Sequence, residues 1–284
     1  MLNRLRTYLS FIRFGHSVFA LPFAFAGALL AARHQPLTLR TVIWILVAMV
    51  AARSAAMGFN RLVDARFDAL NPRTASREIP RGAMRTSEAV WFVAVAAATF
   101  VFASWQLSTL CALLSPVALA IVFWYSLAKR YTTYTQLFLG LAMAVAPVGG
   151  WLAVGGRGGW EPWLLAFAIG LWVGGFDVLY ACQDIDFDRA HGLQSIPARF
   201  GVPAALRISR AMHVATVGCF VALAWVTPLP AFYFTGVALV ALLLVYEQSL
   251  VRADDLSQVK RAFDMNGYVG ILYLVVLAVS VYVR

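Results

Sequence analysis

The sequence predicts an all-α polytopic membrane protein with nine transmembrane helices and a cytoplasmic N-terminus. Composition is the first observation, because 62% of the 284 residues are hydrophobic and only 13% are charged, unlike a soluble globular domain. The second is the length of the apolar runs, each of which can cross a bilayer as a helix. The third is the distribution of basic residues between those runs, which gives the chain an orientation.

The apolar runs define the expected helices. They occupy residues 14–32, 41–59, 88–105, 109–128, 135–155, 160–181, 206–226, 230–250 and 265–283. These runs are longer than the roughly ten residues of a barrel strand and lack its alternation, which excludes a transmembrane β-barrel. The connections are too short for a soluble domain, so we expect residues 1–284 to form a single membrane-embedded domain.

Basic residues distinguish the two sides of the membrane. Most of the 23 Lys and Arg residues lie in the N-terminal segment and in every second connection after it. Cytoplasmic loops are enriched in Lys and Arg in this way, so the N-terminus is expected in the cytoplasm and the C-terminus outside. This topology also explains the net charge of +10, and we expect no nucleic-acid partner.

Two long cytoplasmic connections begin with the same spacing of polar residues. Asn60, Asp64 and Asp68 are four residues apart, which places them on one face of a helix. Tyr180 and the two aspartates that follow it, Asp184 and Asp188, repeat the spacing. We therefore expect two columns of oxygen-bearing side chains at the cytoplasmic ends of two helices.

Paired carboxylates at this separation suit Mg²⁺. This ion takes one or two protein carboxylates, keeps several waters and binds substrate phosphate oxygens with its remaining positions. The ordinary alternative is a set of solvated aspartates at helix ends, which explains one pair better than two matched pairs. Asp186 lies two residues from each of its aspartate neighbours, so it points elsewhere and is expected in solvent.

Several segments carry a resemblance to a known family. NRLVDARFD (60–68), RTASREIP (73–80) and YACQDIDFD (180–188) together resemble the UbiA superfamily of intramembrane aromatic prenyltransferases. IRFGHSVFALPFAFAGALLA (12–31) and YSLAKRYT (125–132) are similar to its 4-hydroxybenzoate polyprenyltransferase branch. The resemblance covers nearly the whole chain. It implies a UbiA-type bundle of nine membrane helices, with a cavity that opens to the cytosol and to lipid.

The first motif departs from the common pattern at one position. Many members of the superfamily have Asn-Asp where this chain has Asn60-Arg61, which removes one potential carboxylate. An Asn-Arg start is similar to the branch that serves menaquinone synthesis by the futalosine route, so the acceptor stays open. For Arg61 and three further arginines of this connection, we expect only a contribution to membrane orientation. The three are Arg66, Arg81 and Arg85.

The resemblance implies a reaction and a metal. An allylic diphosphate loses diphosphate, and the electron-rich ring of an aromatic acid captures the resulting carbocation. Mg²⁺ and protein cations neutralise the charge that builds on the leaving group. We expect the four aspartates to hold Mg²⁺ and diphosphate, with a hydrogen bond from Asn60. They are Asp64, Asp68, Asp184 and Asp188.

The resemblance also implies further substrate contacts. Basic side chains would hold the phosphate oxygens, since Arg in particular suits such contacts. They are Arg73, Arg77, Lys129 and Arg130. Tyr180 would either shield the carbocation with its ring face or hydrogen-bond the diphosphate, and the sequence does not choose between these roles.

Two charged residues lie within the expected helices themselves. Arg53 precedes Asn60 by seven residues, and Asp177 precedes Asp184 by seven. Ionisable residues inside a membrane are costly and mark functional sites. Our hypothesis is that Arg53 binds the carboxylate of the aromatic substrate, with Asp177 in the mirror position. An ion pair between Arg53 and Asp177 that ties two helices together is the alternative.

The resemblance therefore implies a Mg²⁺-dependent prenyltransferase of the bacterial inner membrane, with an active site that faces the cytoplasm. Its expected partners are a prenyl diphosphate, an aromatic acid such as 4-hydroxybenzoate and membrane lipid, in ubiquinone or menaquinone synthesis. Other acceptors remain open: a naphthoate, haem or a lipid alcohol. From another class, a cation transporter could use Asp177 and the clustered aspartates, but transporter sites lie near the bilayer midplane and both columns lie at its edge.

Overall fold

A computed structural model describes residues 2–12 and 21–283, and every long regular element in these ranges is an α-helix. In chain order these are α1 (Leu2–Phe11), α2 (Leu21–Ala31), α3 (Leu39–Leu70), α4 (Thr86–Leu107), α5 (Thr109–Ala128), α6 (Thr135–Ala153), α7 (Glu161–Ala181), α8 (Ile185–Ala190), α9 (Ile196–Phe200), α10 (Val202–Val226), α11 (Phe232–Ser249) and α12 (Val259–Tyr282). A 3-10 turn, Cys182–Asp184, joins α7 to α8.

Eight helical segments of the described chain are long and apolar enough to cross a membrane. They are α3, α4, α5, α6, α7 together with α8, α10, α11 and α12, and they correspond to the second through ninth apolar runs. The first run, 14–32, lies partly outside the described residues, and its described part is the shorter apolar helix α2. The all-α polytopic fold class is therefore confirmed, whereas the ninth span stays a prediction.

Local sequence explains where the elements near the polar connections begin and end. The hydroxyl of Thr38 caps α3 by accepting a hydrogen bond from the N–H of Thr41. The same helix ends at Leu70, because Pro72 disfavours helical backbone in the residue before it. Gly201 separates α9 from α10 with φ of 78°, a left-handed conformation that favours glycine. Pro72 therefore marks the start of the first polar connection, and Gly201 lies near the end of the second.

The chain divides into two compact units. The first comprises Met1–Leu21 and Thr38–Leu127, and the second comprises Pro22–Leu37 and Ala128–Arg284. In the first unit α3 packs along α4, and α1 packs on α3. In the second unit α7 packs against α6, α10 and α12, and α11 packs against α10 and α12. Each unit thus contains one of the two helices that carry an aspartate motif.

Small residues allow close helix contact inside the second unit. A Cβ atom added to Gly150 of α6 would overlap the backbone carbonyl of Ala24 in α2. The adjacent Gly149 faces open space, with no heavy atom of the described chain within 4 Å of an added Cβ. Membrane helices associate through close packing of such small residues, because lipid supplies no hydrophobic drive between them. Gly150 is therefore a packing residue and Gly149 is not.

This difference predicts opposite effects of two neighbouring substitutions. Gly150→Ala should destabilise the protein by about 1–3 kcal/mol, because overpacking forces the backbones of α2 and α6 apart. Gly149→Ala should leave stability unchanged or raise it slightly, since Ala favours a helix more than Gly does. Thermal unfolding of both variants in detergent checks the prediction. Equal unfolding temperatures for the two variants would contradict the observed contact.

Candidate functional site

The first aspartate motif forms a half-site at the C-terminal end of α3. The helix continues unbroken to Leu70, so Asn60, Asp64 and Asp68 share one face as expected. Both carboxylates are buried, with Asp64 only 2% and Asp68 only 5% exposed. The side-chain amide of Asn60 donates a hydrogen bond to Oδ2 of Asp64 at 3.2 Å. Carboxylates are rarely buried unless they are paired, so this burial needs compensating donors.

The connection after α3 supplies compensation to Asp68. Nη1 of Arg77 donates to both carboxylate oxygens of Asp68, at 2.7 and 2.8 Å. The hydroxyl of Thr74 donates to the backbone carbonyl of the same aspartate at 3.1 Å. Arg73 is exposed, and its backbone N–H donates a hydrogen bond to Oδ1 of Asn71. The structure therefore places Arg77 directly at the carboxylate column, and Arg73 at the surface beside it.

Arg61 and Glu78 form a buried pair that the sequence reading missed. Nη1 of Arg61 lies 3.7 Å from Oε2 of Glu78, and the two side chains are only 4% and 6% exposed. The hydroxyl of Ser10, in α1, donates to Oε1 of Glu78 at 2.6 Å. The expectation that Arg61 serves only membrane orientation is therefore wrong, because a buried and paired guanidinium is part of the interior. Arg66, Arg81 and Arg85 are exposed, which is compatible with the orienting role.

The second aspartate motif has a different backbone from the one expected. Helix α7 ends at Ala181, a 3-10 turn follows through Asp184, and α8 begins at Ile185. Tyr180 and the two aspartates, Asp184 and Asp188, therefore do not form a column on one continuous α-helix. A 3-10 turn rotates the chain further per residue than an α-helix does, so the spacing of four no longer guarantees a shared face. The exposure of Asp186 is as expected.

A hydrogen-bonded connection joins Asp188 to the segment that contains Lys129 and Arg130, within the second unit. Oδ2 of Asp188 accepts a hydrogen bond from the hydroxyl of Ser195 at 2.9 Å, and that hydroxyl also caps α9. The N–H of the preceding residue, Gln194, donates to the carbonyl of Lys129 at 2.7 Å. Lys129 and Arg130 are both half-buried. Within the second unit, the structure thus brings the predicted phosphate-binding pair to the connection that follows α8.

Aromatic contacts orient Tyr180 within the second unit. Its ring lies 4.8 Å from the ring of Phe263 in α12, with the two planes tilted by 46°. Phe263 also makes an edge contact with Phe176, one turn earlier in α7, at 5.5 Å. Such aromatic pairs add to the free energy of burial and fix ring direction. The Tyr180 ring is therefore held by α12 rather than left to rotate.

A buried polar network connects α12 to α7 and α11, and the sequence reading missed this as well. Nε1 of Trp172 donates to Oδ1 of Asn266 at 2.6 Å, and the amide of Asn266 donates to Oε1 of Glu247 at 3.0 Å. Glu247 is fully buried. Polar residues within otherwise apolar runs are the signal that could have revealed the network. Since Asn266 and Phe263 lie one turn apart on α12, the network sets the position of the helix that holds Tyr180.

The two charged residues within helices lie in different units. Arg53 is half-buried in α3, and its Nε is shielded from solvent without a hydrogen-bond partner among the described residues. Asp177 is half-buried in α7, three residues before Tyr180. A shielded N–H without a partner is costly, so the guanidinium of Arg53 has unused capacity to bind an anion.

The described residues contain no group of three or more His, Cys, Asp or Glu side chains placed to hold a metal by themselves. Each half-site instead offers a pair of carboxylates with polar neighbours. Together these features define a polytopic helical membrane protein that has an acidic half-site, with basic residues nearby, in each of its two units.

The family model named UbiA prenyltransferase family matches residues 20–273. The chain therefore belongs to the UbiA prenyltransferase family, which confirms the resemblance seen in its motifs, and it is a prenyltransferase. Its curated relatives include the 4-hydroxybenzoate octaprenyltransferase of Citrobacter koseri, 32% identical over 243 residues that cover 84% of this chain and 83% of the relative. The enzyme of the same name from Vibrio campbellii is 31% identical over 228 residues, 80% of each chain.

Solved structures share the fold. The apo structure of a UbiA homolog from Aeropyrum pernix K1 has a TM-score of 0.85 and 38% identity, and the match covers 93% of this chain and 98% of that one. The structure of a UbiA homolog from Archaeoglobus fulgidus bound to GPP and Mg²⁺ has a TM-score of 0.70, with 96% of this chain and 99% of that one covered. Its identity is 17%, so this likeness extends to the fold alone.

Proposed function

We propose that this prenyltransferase transfers a polyprenyl group from an allylic diphosphate to the ring of an aromatic acid such as 4-hydroxybenzoate, in ubiquinone or menaquinone biosynthesis. The observation that carries the proposal is the pair of buried carboxylates on α3, Asp64 and Asp68, with Arg77 bound to the second. Relatives named 4-hydroxybenzoate octaprenyltransferase support the acceptor class. A UbiA homolog bound to GPP and Mg²⁺ supports the donor class.

The donor set fits Mg²⁺. Asp64, Asp68, Asp184 and Asp188 supply carboxylate oxygens in pairs, and oxygen ligands are those that Mg²⁺ prefers. Pairs rather than larger clusters suit an ion that completes its coordination with waters and phosphate oxygens. When bound, Mg²⁺ would neutralise charge on the departing diphosphate. We propose that these four aspartates hold it there, with Asn60 orienting the carboxylate of Asp64.

Basic side chains would stabilise the same leaving group. In the reaction the allylic C–O bond breaks, its electron pair leaves with diphosphate, a ring carbon forms the new C–C bond and the ring then loses a proton. We propose that four basic residues bind the diphosphate oxygens: Arg73, Arg77, Lys129 and Arg130. Arg77 can do so while it orients Asp68, because its Nε has no hydrogen-bond partner among the described residues.

Two further residues would act on the acceptor and the cation. We propose that Arg53 binds the carboxylate of the aromatic acid, supported by its shielded Nε, and that Asp177 contributes to the same acceptor site. Tyr180 would present its ring to the developing carbocation, since the contact with Phe263 fixes the direction of that ring. The proposed role of Arg53 favours an acidic acceptor over a neutral one.

The proposal includes the setting of the enzyme. The first apolar run would form a ninth membrane helix, which keeps the N-terminus and the basic connections in the cytoplasm. The chain would then act as one domain in a bacterial inner membrane, surrounded by lipid, with its active site facing the cytoplasm. The distribution of Lys and Arg supports this orientation.

An assay on membranes that contain the protein tests the function. Geranyl diphosphate, Mg²⁺ and 4-hydroxybenzoate should give a ring-prenylated product, and EDTA should abolish it. Asp64→Asn and Asp184→Asn should each lower kcat by about 100-fold or more, because each removes charge stabilisation at the leaving group. The matched control is Asp186→Asn, an exposed aspartate of the second motif, which should retain activity. Product with a dihydroxynaphthoate alone would reassign the acceptor, and activity insensitive to EDTA would contradict the proposal.

A second variant tests the acceptor site separately. Arg53→Leu should raise KM for the aromatic acid by about 10-fold or more while KM for the prenyl diphosphate stays constant, because a charge-assisted contact to the acceptor alone is lost. Arg66→Leu, an exposed arginine of the same helix, serves as the control and should change neither value. Steady-state kinetics with each substrate varied in turn make the comparison. Equal increases in both KM values for Arg53→Leu would remove Arg53 from the acceptor site.

A further inference from the structure

The connection between α3 and α4, residues 71–85, depends on Glu78 for much of its shape. The backbone carbonyl of Glu78 accepts hydrogen bonds from the N–H groups of Ala83 and Met84, at 2.9 and 3.1 Å. Its side chain receives the hydroxyl of Ser10 at 2.6 Å and lies 3.7 Å from the guanidinium of Arg61. Glu78 therefore contacts other residues of the connection, Ser10 in α1 and Arg61 in α3.

Arg77 is the chain neighbour of Glu78, and its side chain binds Asp68. The position of the Arg77 backbone is consequently set by whatever holds Glu78. Arg61, which pairs with Glu78, lies on α3 three residues before Asp64. The pair thus fastens the connection to the same stretch of helix that carries the two carboxylates.

Burial makes the Arg61–Glu78 pair more than a surface contact. Both residues are at least 95% buried, and taking two charges out of water has a large desolvation cost that their attraction only partly offsets. Apolar residues of similar size would fill the space without that cost. The pair therefore contributes little to the stability of the fold. It does fix the two segments that it joins relative to each other, because each buried charge tolerates few alternative positions.

We propose that Glu78 is a positioning residue for diphosphate binding: anchored by Arg61 and Ser10, it holds residues 71–85 so that Arg77 meets Asp68. The role of Arg77 toward diphosphate rests on the proposed function, whereas the positioning itself concerns the protein alone. Helix α1 then belongs to the site through Ser10, although it contributes no group to the substrate.

Limited proteolysis of the purified, substrate-free protein in detergent tests the positioning. Residues 71–85 contain four trypsin sites, Arg73, Arg77, Arg81 and Arg85. Glu78→Gln should speed cleavage after Arg73, Arg81 and Arg85 by about 10-fold or more, because cleavage follows the population of the locally opened connection. The bond after Arg77 is left out of the comparison, since the substitution changes the residue that follows it. Asp186→Asn is the control, because Asp186 is an exposed carboxylate that lies outside residues 71–85 and outside the unit that contains them. Mass spectrometry of the fragments identifies the cleaved bonds.

Ser10→Ala provides a second variant if Glu78→Gln does not fold. It removes one donor to Glu78 and leaves the buried charges unchanged, so its cleavage should be faster than that of the wild type but slower than that of a folded Glu78→Gln protein. The proposal would be overturned if whichever of these two variants fold were cleaved no faster than the wild-type protein. This outcome is independent of prenyl transfer, so it is distinguishable from failure of the proposed function.

A double-mutant cycle tests the link to diphosphate. If Glu78 acts through Arg77, then Glu78→Gln should raise KM for geranyl diphosphate several-fold in the wild type and should have no further effect in Arg77→Gln, because coupled residues are non-additive. A purely structural role for Glu78 would instead lower the amount of folded protein without changing KM. Multiplicative effects of the two substitutions on KM would overturn the proposed route through Arg77.

Discussion

Buried carboxylates beside apolar helix faces are stable only when cations or hydrogen-bond donors replace the water that they lose. In the first unit this requirement fixes the path of the chain after α3. Asp68 accepts a hydrogen bond from Arg77 of the following connection, and Glu78 of that connection pairs with Arg61 of the helix. In the second unit the half-buried carboxylate of Asp188 accepts a hydrogen bond from the hydroxyl of Ser195. Each polar connection therefore returns to the helix that precedes it, and the charged groups of each half-site gather at one helix end.

The same compensation would suit the proposed chemistry. Carboxylates that are already desolvated and oriented lose little further hydration when a divalent cation binds, and a fixed guanidinium needs little reorganisation to meet a phosphate. Apolar surroundings strengthen both interactions, because the effective dielectric constant is lower than in water. Phe263 holds the ring of Tyr180, and the network of Trp172, Asn266 and Glu247 holds the helix of Phe263. Tyr180 would therefore be oriented before substrate binds, if it has the proposed role.

Short-range periodicity allowed much of this to be predicted from sequence. Apolar runs predicted the membrane helices, and the spacing of Asn60, Asp64 and Asp68 predicted a column that α3 does form. The continuous second helix was wrong, because a spacing of four does not exclude a 3-10 turn between the residues, and the sequence gives no signal for that turn. Contacts between residues that are distant in sequence, such as Ser10 and Glu78, produce no periodic pattern in the sequence and so could not be predicted from it. A buried Arg61 looked the same as the orienting arginines around it for the same reason.

Binding of Mn²⁺ in place of Mg²⁺, measured by electron paramagnetic resonance with inorganic diphosphate, is the most direct test that both aspartate motifs hold a divalent cation and diphosphate. The wild-type protein and Asp186→Asn should bind Mn²⁺ only when diphosphate is present. Asp64→Asn and Asp184→Asn should each lose most of that bound ion while they remain folded. Full retention of Mn²⁺ by either of these two variants would contradict a site built from both motifs.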